Sequence, residues 1–141
     1  MSSYVSRADR RHVRQRAKSV CEYCFSQEQF SPQTFECEHI VPTSAGGASS
    51  VDNLAWSCGG CNRFKSDRLD AIDLESQKTA SLYNPRQDSW EEHFSWDASL
   101  TEIMGLTSIG RATISTLRLN RPGVKNLRAV LIQLGKHPPL L

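Results

Sequence analysis

Between residues 35 and 65 the sequence gathers side chains suited to one kind of chemistry. Glu38 stands beside His39 at the end of an apolar stretch closed by Pro42. Asn62 and Lys65 follow directly on the pair Cys58-Gly-Gly-Cys61. Hydrolysing a phosphodiester needs a deprotonated water and stabilisation of the charge that builds on the leaving oxygen. An imidazole near its natural pKa suits the first task, which makes His39 a candidate general base. A carboxylate holding Mg²⁺ or Mn²⁺ suits the second. Glu38 offers that carboxylate and Asn62 a second oxygen ligand, a donor set that favours hard cations over softer metals. Successive strand residues point to opposite faces, so Glu38 and His39 can share a site only at a strand end, as Pro42 allows.

Four further ligands are soft. Cys21-x2-Cys24 and Cys58-x2-Cys61 form two matched pairs separated by 33 residues. Each pair has the bite for two corners of tetrahedral Zn²⁺, and a site made only of protein thiolates is closed and therefore structural. Metal binding of this kind contributes folding energy on the order of 10 kcal/mol. Two disulfides or a redox pair are the competing readings. Matched spacing and the lack of a thioredoxin-like context argue against both. Cys37, left over, reads as a small buried hydrophobe.

The elements that must position these groups follow from pattern. Ser6 can cap a helix to about Val20, with Val13, Ala17 and Val20 on one buried face. Residues Phe35 to Val41 read as a strand, Thr43 to Ser50 as a Gly/Ser loop, and Leu54 to Ser57 as a second strand. A helix then runs from Gly59 or Gly60 to about Leu69. Trp56 reads as core, and Trp90, Phe94 and Trp96 as a patch packed back on it. Glu102 to Leu106 suits a strand, Thr107 caps a helix through Leu119, and Val124 to Leu134 forms a last amphipathic helix. His12, His93 and His137 lack ligand-like spacing and read as structural or exposed. The expected fold class is α+β.

At 141 residues, 38% of them hydrophobic, the chain suits one domain with a modest core. Residues 1–70 would form the zinc-stapled core with its basic helix, and residues 71–141 an extension packed on it. The net charge of +2 conceals a pattern. Six basic residues lie between Arg7 and Lys18 against the one acid Asp9, and six more between Arg111 and Lys136 with no acid. From Asp70 to Glu102, eight acids face only Lys78 and Arg86. Basic ends around an acidic middle suit a protein that grips a polyanion with selected surfaces. Arg63, Lys65 and Arg68 beside the site, and Arg10 and Arg14 on the first helix, are the candidate phosphate contacts. No apolar run follows the basic N-terminus and none reaches membrane-spanning length, so a cytoplasmic location without membrane contact is expected.

Taken in order, Glu38-His39-Ile-Val-Pro42, Gly46-Gly47, Asn53-Leu54 and Cys58-x2-Cys61-Asn62-x2-Lys65, framed by Cys21-x2-Cys24, resemble the HNH endonuclease family. The resemblance is to its zinc-stapled branch with the ββα-metal fold, and it covers about residues 19 to 68. It implies that His39 is the general base, that Glu38 and Asn62 bind the catalytic divalent ion, and that Asn53 orders the loop and orients the histidine. Two departures stand out. The family more often has Asp where Glu38 stands, and its final His is Asn62 here, a substitution found in active members. Asn84-Pro85-Arg86, Trp90, His93-Phe94-x-Trp96 and Gly110-Arg111-x-Thr113-Ile114 more weakly resemble the tail of small standalone bacterial members.

Two functions follow as expectations. One is a metal-dependent endonuclease that cuts DNA with little sequence preference, leaving 5′-phosphate and 3′-hydroxyl ends, with RNA not excluded as a target. The other is a zinc-stabilised nucleic-acid-binding module without catalysis, in which the Glu-His pair is residual. Nothing in the sequence sets an oligomeric state.

Overall fold

The computed structural model describes residues 4–141; residues 1–3, part of the segment expected to open the core, lie outside the described residues. Helix α1 (Arg7–Arg16) starts where Ser6 Oγ accepts the Asp9 N–H at 3.1 Å. It stops short of Val20 because Lys18 and Ser19 both take left-handed backbone, φ 56° and 57°. Val13 and Ala17 bury its inner face.

Strand β1 (Phe35–His39) pairs antiparallel with β2 (Leu54–Cys58), in a register that sets Phe35 opposite Cys58 and His39 opposite Leu54. β1 ends before Val41, whose N–H and C=O are taken by the Asn53 side chain. Helix α2 (Gly59–Lys65) leaves β2 directly, with Cys58 as its N-cap, and breaks at Ser66, φ 52°, rather than running to Leu69. Helix, strand, loop, strand, helix is therefore the arrangement expected for the core.

Beyond it lie two small hairpins and three helices. Strands β3 (Asp70–Asp73) and β4 (Lys78–Ser81) pair antiparallel, an element that the sequence pattern did not suggest. A single turn α3 (Trp90–His93) leads into β5 (Phe94–Trp96), which pairs with β6 (Ile103–Gly105). Helix α4 (Ser108–Leu117) is capped by Thr107, whose Oγ1 accepts the Gly110 N–H at 3.1 Å. Helix α5 (Pro122–Gln133) has Pro122 at its first position, where a missing N–H costs nothing. Pro122 therefore opens the last helix and does not break α4, which has already ended at the left-handed Arg118. The class is α+β.

One hydrophobic cluster joins these parts: Val13, Tyr23, Leu54 and Trp56 from the first half meet Phe94, Leu117 and Val124 from the second. Each such Leu or Phe is worth roughly 1.5–3 kcal/mol when removed from water. Trp56 is fully buried. The aromatic patch packs onto the first cysteine turn, with the Phe25 ring 5.1 Å from Trp90 edge-on and Trp90 stacked 5.5 Å from Phe94. No helix among the described residues is long and apolar enough to cross a membrane.

Candidate active site and metal centre

The four expected zinc ligands come together. Cys21 and Cys24 sit in a tight turn closed by Cys21 N–H to Ser26 C=O at 2.9 Å and Phe25 N–H to Cys21 C=O at 3.0 Å. Cys58 ends β2 and Cys61 lies one turn into α2, its N–H directed at Cys58 Sγ at 3.5 Å. All four sulfurs are buried and lie within 4.8 Å of one another. Cys24 and Cys58 Sγ are 3.7 Å apart, close to the ~3.8 Å edge of a tetrahedron with Zn–S bonds of about 2.3 Å. The cysteines are free of disulfides, and the donor set and its dimensions fit a tetrahedral soft metal such as zinc.

Two arginines from the C-terminal half meet this cluster, and the sequence reading did not foresee them. Arg121 sends Nη2 to Cys58 Sγ at 3.4 Å and Nη1 to Cys61 Sγ at 3.6 Å. Burial works against its charge, yet the Cys61 and Cys24 thiolates hold the guanidinium above its usual pKa. Arg128, buried, donates to the carbonyls of Cys24 and Leu119 at 2.9 and 2.8 Å and so fixes α5 across the first knuckle. The only hint was a basic, acid-free C-terminal segment, which does not distinguish cations for a buried anion from cations for a ligand.

At the other end of the hairpin, a cleft of about 530 Å³ is lined by Cys37, Glu38, His39, Asn62 and Arg63, with Pro42, Ser44 and Asp67 at its loop side. His39 is the last residue of β1, the strand-end position its pairing with Glu38 required. Its Nε2 lies 2.9 Å from Ser49 Oγ, a partner that only the folded loop reveals. Burial, and then the Lys65 charge, lower its pKa, so the ring is biased toward the neutral form a base needs.

The loop that presents Ser49 is pinned by Asn53. Its Oδ1 accepts the Val41 N–H at 2.9 Å, and its Nδ2 donates to Val41 C=O at 2.9 Å and Ala48 C=O at 2.8 Å. Gly47 is obligatory here, because a Cβ would fall 1.8 Å from Val41 O. In this arrangement Asn53 touches backbone and organises the loop rather than facing the reacting atoms.

Glu38 and Asn62 both line the cleft, but not as open oxygen ligands. The Glu38 carboxylate is 3% exposed and forms an ion pair with Lys65, Nζ to Oε1 at 2.5 Å, while Tyr23 Oη–H donates to Oε2 at 2.7 Å. Burial raises its pKa, opposed by Lys65 and the Tyr23 hydrogen bond. Oε1 is itself fully buried against the Lys65 ammonium. Asn62 donates Nδ2 to Glu36 Oε1 at 2.8 Å, and its Oδ1 has no partner among the described residues. Carboxylate and amide oxygens are the donor types a hard divalent ion takes. The Glu38 carboxylate, however, is engaged by Lys65 and Tyr23, whereas Asn62 Oδ1 has no partner among the described residues.

Lys65 corrects an expectation. It is not a surface phosphate contact: it is 1% exposed, and besides Glu38 it donates to Ile40 C=O at 2.9 Å. On α2 it falls one turn after Cys61, on the same inward face, and the buried carboxylate draws it there. Arg63 and Arg68 are exposed as expected. Arg10 and Arg14 are exposed but engaged, Arg10 lying 4.8 Å over the Trp56 ring and Arg14 paired with Glu28 at 3.1 Å. His93 bonds Thr107 and His137 bonds the Leu100 carbonyl, both buried, and His12 is exposed.

Comparison with known proteins agrees with this geometry. Residues 21–68 match the HNH endonuclease family. A protein of Escherichia coli (strain K12), the type IV methyl-directed restriction enzyme EcoKMcrA, is 33% identical over 55 residues, which is 36% of this chain and 20% of that protein. The match therefore spans about a fifth of the relative's length. No solved structure matches the chain. The paired cysteine turns, the β1–β2–α2 unit and His39 all lie inside the segment, residues 21–68, that is similar to the HNH endonuclease family.

Proposed function

We propose that this protein is a metal-dependent endonuclease that hydrolyses DNA phosphodiester bonds in the cleft at the end of β1. The observation that supports it most is His39, with a lowered pKa and an oriented ring, sharing that cleft with the free amide oxygen of Asn62. In this reading His39 takes a proton from the attacking water, and Asn53 holds the loop that carries Ser49. Glu38 and Asn62 would hold Mg²⁺ or Mn²⁺, the carboxylate being shared with or released by Lys65. Bound there, such an ion would neutralise charge on the leaving 3′ oxygen, giving 5′-phosphate and 3′-hydroxyl ends. The four cysteines would hold structural zinc. A cytoplasmic setting belongs to the reading, since it keeps the five thiols reduced.

One feature favours a second reading, in which the chain binds nucleic acid without cutting it. A carboxylate enclosed by Lys65 and Tyr23 is what a core without a catalytic ion would contain. The two readings separate on supercoiled plasmid incubated with Mg²⁺ or Mn²⁺, wild type beside His39→Ala. Cleavage that needs the divalent ion and is lost in the variant supports the nuclease. Binding without cleavage, or equal cleavage by both proteins, supports the second reading.

A further inference from the structure

The cations of this chain divide into those spent inside the fold and those left outside. Lys65, Arg86, Arg111 and Lys125 are paired with acids, Arg121 with sulfur, and Arg128 with carbonyls. Beside the cleft, Arg63 and Arg118 are exposed, and their guanidinium groups make neither hydrogen bond nor ion pair among the described residues. Both are held all the same. The Phe64 ring meets both, with the Arg63 guanidinium 5.2 Å and the Arg118 guanidinium 4.6 Å from its centroid, and Arg121 lies 5.6 Å from the same ring. Arg118 is the C-cap of α4 and takes left-handed backbone, φ 51°. The C-terminal extension thereby delivers it to the outer face of the α2 helix that carries Asn62.

Resting on the nuclease reading, we infer that Arg63 and Arg118, braced on Phe64, are a phosphate-binding pair for duplex DNA, running from the cleft across α2. This gives the extension a function: it supplies the second cation of the track. Stacking on an aromatic face orients a guanidinium and leaves its N–H fork free, which suits bidentate contact with a phosphate. Arg63 lines the cleft, so the track is continuous with the site of hydrolysis. No acid pairs with either arginine among the described residues, so both guanidinium forks are open to a phosphate, with Asp67 the exposed acid in the same cleft.

The test is the salt dependence of binding to a fluorescein-labelled duplex, followed by anisotropy without added divalent ion, with zinc content checked for every protein. Each phosphate contact contributes about 0.9 to the slope of log K against log salt. Arg118→Gln should lower the slope by about 1, and Arg63→Gln with Arg118→Gln by about 2. The wild-type advantage over Arg118→Gln should shrink about 3.5-fold between 50 and 200 mM salt. Arg118→Lys, which keeps the charge and guards against a folding artefact, should retain the slope, as should Lys136→Gln on the exposed C-terminal segment. An unchanged slope in Arg118→Gln, or a wild type that does not bind duplex at all, overturns the proposal. A wild type that binds with this slope but does not cut in Mg²⁺ or Mn²⁺ defeats the nuclease reading and leaves the arginine pair standing.

Discussion

The two ends of the β1–β2 hairpin hold polar clusters of opposite design. At the Cys58 end, four sulfurs are fully enclosed, and Arg121 and Arg128 arrive from the far half of the chain to meet them. At the His39 end, the imidazole and an amide oxygen face an open cleft, and only Glu38 is shut in. A closed tetrahedral donor set leaves no position for substrate, whereas an open one must. Helix α2 serves both ends, with Cys61 facing the sulfurs and Asn62, the next residue, facing the cleft. The one short helix thus links two ends that are chemically separate.

Breaking the closed end should have the largest effect. Treatment with a chelator, which would remove the zinc proposed for the four sulfurs, or Cys24→Ser, should abolish cooperative unfolding by circular dichroism, since the binding energy at stake is on the order of 10 kcal/mol. A chain that keeps its native melting profile without metal would show that the sulfurs only fill space. The buried pair comes next. Lys65→Met should destabilise by about 3–5 kcal/mol in urea titration, because it leaves the Glu38 carboxylate buried and unpaired. Adding Glu38→Gln should recover part of that loss. A cost below about 1 kcal/mol would mean that Glu38 has another partner.

Smaller effects belong to the open end. Asn53→Ala removes three hydrogen bonds to loop backbone and should cost about 1–3 kcal/mol while loosening Ser49 from His39. Unaltered cleavage in that variant would separate loop order from activity. The pH profile is the subtlest measurement. A lowered His39 pKa keeps the ring neutral below the ordinary value of about 6.5, so cleavage should persist as pH falls past it and decline only below the folded-state pKa. An acid limb centred above 7 would contradict the burial that sets this shift.

Much of this was legible from residue types and spacing. Matched cysteine pairs, the Ser6 and Thr107 caps and the strand opening at Phe35 each depend on local chemistry that the sequence displays, though that strand ends at His39 and not at Val41. The β3–β4 hairpin was not, because its turn carries Gln77 at φ 62° instead of a glycine and its buried face offers little beyond Asp73 and Ala80. What holds it is an ion pair from afar, Arg111 Nη2 to Asp73 Oδ2 at 2.9 Å, and that partner also keeps the Asp73 pKa low. Lys65 was misplaced for a related reason. A basic residue after Asn62 suggests phosphate, and only its one-turn spacing from Cys61 hinted at an inward side chain. Charges that find buried partners across long sequence separations are invisible to local pattern, and Arg121 and Arg128 are two more of them.

The central claim is that His39 performs the chemistry in a cleft whose shape does not depend on it. Single-turnover cleavage of a duplex by wild type and His39→Ala, matched in zinc content and melting temperature, tests it most directly. The variant should be slower by about 10²–10⁴-fold with its fold intact, and the wild-type products should carry 5′-phosphate ends. A folded, zinc-loaded His39→Ala protein that cuts as fast as wild type would place the base elsewhere and contradict the account.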